Sequence, residues 1–390
     1  VTTAWADFFH PQRRRAWIRL GQLGLFVAAP ILVTLVIFGE ALSSNMFAGD
    51  FAQGPWVAGG RVLSGLTPYV GIHSPVIQAG AVFDYPALAA VLAVPFSFLP
   101  QTLASVLFTG ICIAAVVATL RLFEIRDWRV YGAAFFWPPV TSGLGTANLT
   151  LLLVLGLAAA WRHRDRPFVA GALVAVLISI KVFVWPVAFW LLATRRYRAL
   201  AWALACGLVV NVMAWTIVGF DQIPRYVRLI QAVTRTVDDR GYSVMRFVGG
   251  NASPVALAIA LALAAALIAA SFVLARRGRD SGAFAFCVLA SLVASPLVWL
   301  HYFALLLLPV ALVHRRLSAW WLLPMLLGFP VTRPHLWEAL VALGVAAAVT
   351  LHTLRPAAVR QGAAPPLATE GALPSSAAFA VPLASSAAPS

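Results

Sequence analysis

Long apolar runs separated by short arginine-rich clusters set the pattern of this chain. Runs near 20–38, 101–122, 130–143, 148–161, 168–180, 183–193, 199–219, 255–275, 283–298, 302–313, 319–331 and 336–354 predict helices. A helix that crosses a bilayer alone needs about 20 apolar residues. Several of these runs fall short of that, so they predict tilted helices or helices buried among neighbours. The expected fold is an all-α polytopic membrane protein, a bundle of about 12 transmembrane helices with a long first extracytoplasmic loop.

The charges give this pattern a direction. Place the N-terminus in the cytoplasm and let each run cross once. One side then collects Arg13, Arg14, Arg15 and Arg19, the 121–129 cluster, Arg162/Arg164/Arg166, Arg195/Arg196/Arg198, Arg276/Arg277/Arg279, Arg315/Arg316 and Arg355/Arg360. That side carries 20 of the 28 basic residues and 6 of the 13 acids; the other carries 8 and 7. Such asymmetry is the positive-inside pattern, and it puts both termini in the cytoplasm. It requires that the run 86–99 not cross, being re-entrant or lying along the outer interface. No small-residue cleavage site follows the first run, which is expected to stay as an anchor.

Composition narrows the class. With 62% hydrophobic and 11% charged residues, against about 25% charged in a soluble domain, the chain is neither a conventional soluble enzyme nor disordered. The net charge of +15 would suggest a polyanion binder, but sorting by side leaves it as orientation. Cys112, Cys206 and Cys287 each sit alone in apolar runs and read as small core residues. The expected divisions are a cytoplasmic segment 1–19, a membrane domain 20–354 and a disordered Ala/Pro/Ser-rich cytoplasmic tail 355–390. Two outer segments are long, about 39–100 and 220–254, and no internal repeat supports a transporter's inverted halves.

Scarce polar residues then fall at outer helix ends. They are Asp50, Tyr85 before Pro86, Asn148, Lys181, Ser295, Trp299, His301 and Tyr302. Lys181 is the one lysine in the chain and sits deep in an apolar stretch, where ionisable groups are functional candidates. Each also has a plainer reading: Asp50 as a solvated acid or cap, Lys181 snorkelling, Asn148 capping a helix, His301 in an aromatic belt. Taken together, a carboxylate beside cations at the outer leaflet suits a phosphate-bearing lipid and a hydroxyl nucleophile. Asp50 would be the general base. Lys181, with His301 or Arg246, would stabilise the departing phosphate. No metal site is named, because the paired acids Asp238-Asp239 read as a solvated turn.

At these residues the chain resembles the family 87 glycosyltransferases, membrane enzymes of the GT-C fold. The matching features are Asp50-Phe51, Gly65-Leu66-Thr67-Pro68-Tyr69, Tyr85-Pro86, Gly145 to Asn148 before Leu149-Thr150-Leu151-Leu152, Ile180-Lys181, and Ser295, Pro296, Trp299, His301 and Tyr302. They lie in the family's order and cover about 20–354. The resemblance implies a GT-C-type bundle, a catalytic role for Asp50, and a pocket including Tyr69, Tyr85, Asn148, Trp299 and Tyr302. It also implies inverting transfer from a lipid-phosphate sugar, without a nucleotide. The chain departs from the pattern at Gln53-Gly54-Pro55-Trp56, at Ala87 where a second proline is usual, and at Val182 after the lysine.

The expected function is therefore that of a bacterial plasma-membrane glycosyltransferase. It would move a hexose, mannose first, from a polyprenyl-phosphate donor to a glycolipid or glycan hydroxyl on the extracytoplasmic side. No cofactor is implied, and metal dependence stays open. A transporter or flippase of lipid-linked sugars is the alternative, but it needs a route to both faces and the polar candidates are one-sided. A polysaccharide ligase or lipid-phosphate transferase is a third reading. Nucleic-acid binding is a poor fourth, since orientation already explains the arginines.

Overall fold

The structure is a computed structural model that describes residues 11–43, 47–79, 82–237, 240–328 and 334–355. Every regular element among them is helical. Helix α1 (Pro11–Leu23) runs through a π-helical turn, Gly24–Ala28, into α2 (Ala29–Ser43). Short helices α3 (Gly49–Gln53), α4 (Pro55–Leu63) and α5 (Pro75–Ala79) precede α6 (Ala87–Ser97). Then follow α7 (Gln101–Leu122), α8 (Trp128–Phe135), α9 (Pro138–Gly145), α10 (Thr150–Arg162), α11 (Pro167–Ile180) and α12 (Val187–Ala193). The remainder are α13 (Tyr197–Val218), α14 (Ile223–Thr236), α15 (Pro254–Arg276), α16 (Asp280–Ala294), α17 (Leu307–Val313), α18 (Ala319–Leu322) and α19 (Leu336–His352).

Among the described residues, four helices are long and apolar enough to cross a membrane: Arg15–Val36, α7, α13 and α15. A fifth arises if α9 and α10, bent by 120°, count as one span. Twelve separate crossings are not confirmed. Several apolar runs break instead. The run 130–143 divides at Pro138-Pro139, whose rings cannot continue a helix but suit the start of the next. The runs 183–193 and 302–313 open in 3₁₀ segments, Val182–Val184 and Leu300–Leu306. The chain is a multi-pass, all-helical membrane protein that mixes long spans with short buried helices. Asp238-Asp239 and the tail from 356 lie outside the described residues.

The short helices share a common end. Asp280, opening α16, accepts from Arg196 at 2.8 Å, pairs with Arg164 at 3.3 Å, and accepts from the Trp190 indole at 2.7 Å. This ties together the arginine-bearing ends of α10, α12 and α16. From there α10, α11 and α16 rise only 13 to 15 residues, about 20 Å at 1.5 Å per residue. A hydrocarbon core is about 30 Å thick. Each helix is too short to cross that thickness alone, and Asn148, Lys181 and Ser295 at their far ends are buried by other protein. Helices α11 and α13 can approach closely because a Cβ on Gly171 would collide with the Ala199 carbonyl.

Two large apolar cores result, with a small third of Met245, Ala256 and Ala260. The larger joins α7–α12, α16, α17 and α19; the smaller joins Tyr69, Phe83, Tyr85 and α6 to Trp215 and α14. Leu149, Ile180 and Trp299 pack against both. Each adjoins, or nearly adjoins, a polar candidate: Asn148, Lys181 and His301.

Candidate active site

The short helices stop where these polar residues gather. Asp50 lies on the single turn α3, which docks on the break between α9 and α10. There Ala48 N–H donates to Gly145 O at 3.0 Å, and Phe51 N–H to Thr146 O at 3.3 Å. Both sides of the junction are strained: Ala48 and Ala147 hold φ of 53° and 50°. Left-handed non-glycine residues cost about 1–3 kcal/mol each, and such strain clusters at functional sites.

Asn148 joins the two sides. Its Nδ2 donates to Asp50 Oδ2 at 2.7 Å and reaches the Tyr85 hydroxyl at 3.5 Å. Its Oδ1 accepts from the Thr150 N–H at 2.9 Å and from the Thr150 hydroxyl at 2.7 Å. A backbone N–H must meet the amide oxygen, so the nitrogen faces Asp50. With its proton given to Asn148, the Thr150 hydroxyl presents lone pairs to Lys181 Nζ at 3.4 Å. A continuous polar chain thus runs Asp50–Asn148–Thr150–Lys181.

Lys181 ends α11 in extended backbone and is 7% exposed. Its ammonium sits 4.0 Å from the Tyr302 ring centroid, 4.9 Å from Tyr85 and 5.7 Å from Phe183. Ring faces attract a cation, yet three N–H donors meet a single, long hydrogen bond. The Phe183 and Tyr302 rings stack at 4.6 Å, and the His301 ring lies 5.1 Å from Tyr302. His301 is 6% exposed, and its Nε2 has no hydrogen-bond partner. Tyr69 backs the group, its hydroxyl donating to Tyr85 O at 3.3 Å.

Burial raises the Asp50 pKa above the ordinary carboxylate value, opposed by hydrogen bonds from Asn148 and Thr146 and by the Lys181 charge. Asp84 is also raised by burial; Lys181 lowers it and Asp50 raises it further. Both acids keep part of their surface open although protein surrounds them. Two carboxylates therefore face one ammonium, and among the described residues no three His, Cys, Asp or Glu side chains group as metal ligands.

Of the residues expected here, Asp50, Tyr69, Tyr85, Asn148, Lys181, His301 and Tyr302 come together. Trp299 stands on the seam between the cores. Arg246 is bonded elsewhere: its Nη1 donates to Gly241 O at 2.6 Å and to Pro334 O at 3.0 Å. Sequence reasoning missed Asp84, Thr150 and Tyr226. Asp84 stands directly before Tyr85-Pro86 and is one of few acids away from the arginine clusters, a signal that was available. Tyr226 lies on α14, its ring 5.3 Å from Tyr69, a proximity that no local pattern announces.

The model for glycosyltransferase family 87 matches residues 83–299, a stretch that contains Asp84, Tyr85, Asn148 and Lys181. A polyprenol-phosphate-mannose-dependent alpha-(1-2)-phosphatidylinositol pentamannoside mannosyltransferase of Mycolicibacterium smegmatis is 26% identical over 289 residues, covering 66% of this chain and 70% of its own. The protein of the same description from Mycobacterium tuberculosis is 25% identical over 296 residues, covering 66% and 67%. No solved structure matches. With more than half of its length matched, including most of the buried polar cluster, this chain belongs to glycosyltransferase family 87.

Proposed function

We propose that this glycosyltransferase moves mannose from a polyprenyl-phosphate donor to a hydroxyl of a lipid-linked or glycan acceptor, with Asp50 as general base and inversion at the sugar. The observation that carries this reading is the Lys181 ammonium, buried among aromatic rings with one long hydrogen bond beside a partly open carboxylate. Asp84 and Asp50 balance its charge, but its N–H donors are costly to bury without acceptors, and an incoming phosphate would supply them.

The steps follow from the geometry. The acceptor oxygen attacks the anomeric carbon while Asp50 takes its proton. The bond between that carbon and the phosphate oxygen breaks, and the phosphate leaves with the electron pair. Lys181 stabilises the growing negative charge, more strongly in a water-poor site than in solvent. The unpartnered His301 Nε2 is a second group able to meet a phosphate oxygen. Asn148 holds Asp50 Oδ2 at 2.7 Å and so fixes the orientation of the carboxylate that meets the acceptor. Asp84 balances Lys181 before the donor arrives.

The arginine-bearing helix ends belong in the cytoplasm by the positive-inside pattern, which places the site on the extracytoplasmic side, sunk within the outer leaflet. A flippase reading has no observation in its favour, because the polar cluster stands over apolar helices tied off at Asp280. The relatives' acceptor, a phosphatidylinositol mannoside, indicates a lipid-linked acceptor here as well. The test is to incubate membranes containing the protein with radiolabelled polyprenyl-phosphate-mannose and polyprenyl-phosphate-glucose, then identify the labelled lipid. Label moving from the mannose donor supports the reading; label moving only from glucose overturns the choice of sugar.

A further inference from the structure

Helix α14 roofs the smaller core. Tyr226, Leu229, Val233 and Val237 face inward, and the Tyr226 ring lies 5.3 Å from Tyr69 and 6.1 Å from Trp215. Its outward side has two textures. Arg228, Gln231 and Arg235, spaced three and four apart, form one exposed ridge. Beside the ridge, Ile223 and Val227, four apart, are 37% and 47% exposed, and Phe220 just before the helix is 53% exposed. Arg225 occupies the other flank.

The arginines have no acidic partner. Arg228 Nε donates within its own helix, to Pro224 O at 3.3 Å, and no carboxylate meets Arg225, Arg228 or Arg235 among the described residues. In water the apolar flank would be unsatisfied; in hydrocarbon the arginines would be. Only the membrane interface satisfies both.

We propose that α14 lies flat in the membrane interface at the rim of the active site, and that its arginine ridge binds anionic phospholipid headgroups. Two arginines on the ridge and a third on its flank, with no acid on the helix, give the charge complementarity for a phosphodiester, and the apolar flank places that ridge at headgroup depth. Each basic residue at a membrane surface favours an anionic over a zwitterionic neighbour by about fivefold. The proposal does not depend on which sugar is transferred.

The test uses the full chain in lipid nanodiscs, with Cys206→Ala and a bimane fluorophore on Gln231→Cys. Bromine-tailed lipids quench a fluorophore that they touch. In phosphatidylcholine discs, 10% bromine-tailed phosphatidylglycerol should quench at least about threefold more than 10% bromine-tailed phosphatidylcholine. The triple change Arg225→Gln, Arg228→Gln and Arg235→Gln should bring that ratio to about one. The corresponding triple change to lysine should keep the preference, which separates charge from misfolding. No quenching even in fully brominated phosphatidylcholine would mean that α14 stands in water and would overturn the proposal. So would an equal effect of both lipids on the unmodified ridge, or a preference that survives removal of the charges.

Discussion

Asp50 and Lys181 are joined by hydrogen bonds through Asn148 and Thr150, so a change at one should be read at the other. General-base action requires ionised Asp50. Its pKa stands above the ordinary carboxylate range because of burial, so transfer should fall as pH drops through that raised value. Asn148→Ala removes a hydrogen bond that favours the charged form, and the acidic limb of the rate profile should move to higher pH. An unchanged limb in a folded Asn148→Ala protein would detach this carboxylate from the rate. Lys181→Met keeps side-chain bulk and removes the charge. Its effect should fall on the donor, with donor KM rising about tenfold or more, as expected for a lost charge-assisted contact, and acceptor KM little changed. The reverse split would place Lys181 on the acceptor side.

At the scale of elements, the short helices are the informative ones. Runs as brief as 148–161 and 168–180 are the hardest to map from sequence, since neither spans a bilayer alone. Apolar periodicity located them well: α10, α11 and α16 fall within a few residues of the expected runs. Periodicity does not reveal why they stop. They stop at Asn148, Lys181 and Ser295, all buried polar residues, where irregular backbone is tolerated because protein covers it. Arg246 shows a tie that no local pattern announces, its Nη1 donating to the Pro334 carbonyl 88 residues away. Close packing at the base of α11 has its own test. Gly171→Val would press a side chain against Ala199 O and should cost about 1–3 kcal/mol as overpacking. The readout is a lower thermal midpoint in detergent, while Gly21→Val, with open space around it, should leave the midpoint unchanged.

For the whole molecule, the surplus of arginine and the scarcity of other charges carry separate messages. The arginine clusters gather at one end of the short helices, around Asp280 and Glu124, while the buried cluster lies at the other. A cysteine at exposed Ser64 should react with a membrane-impermeant maleimide in intact cells. One at exposed Arg277 should react only after permeabilisation; the opposite result would invert the orientation. The central claim concerns the chemistry, and one variant tests it most directly. Membranes carrying the wild-type protein or Asp50→Asn are given radiolabelled polyprenyl-phosphate-mannose and bacterial lipid acceptor, with protein content matched. The wild type should pass label to a lipid product, and Asp50→Asn should lose at least about a hundredfold in rate while remaining folded in the membrane. Near-wild-type transfer by Asp50→Asn would contradict the assignment of the base.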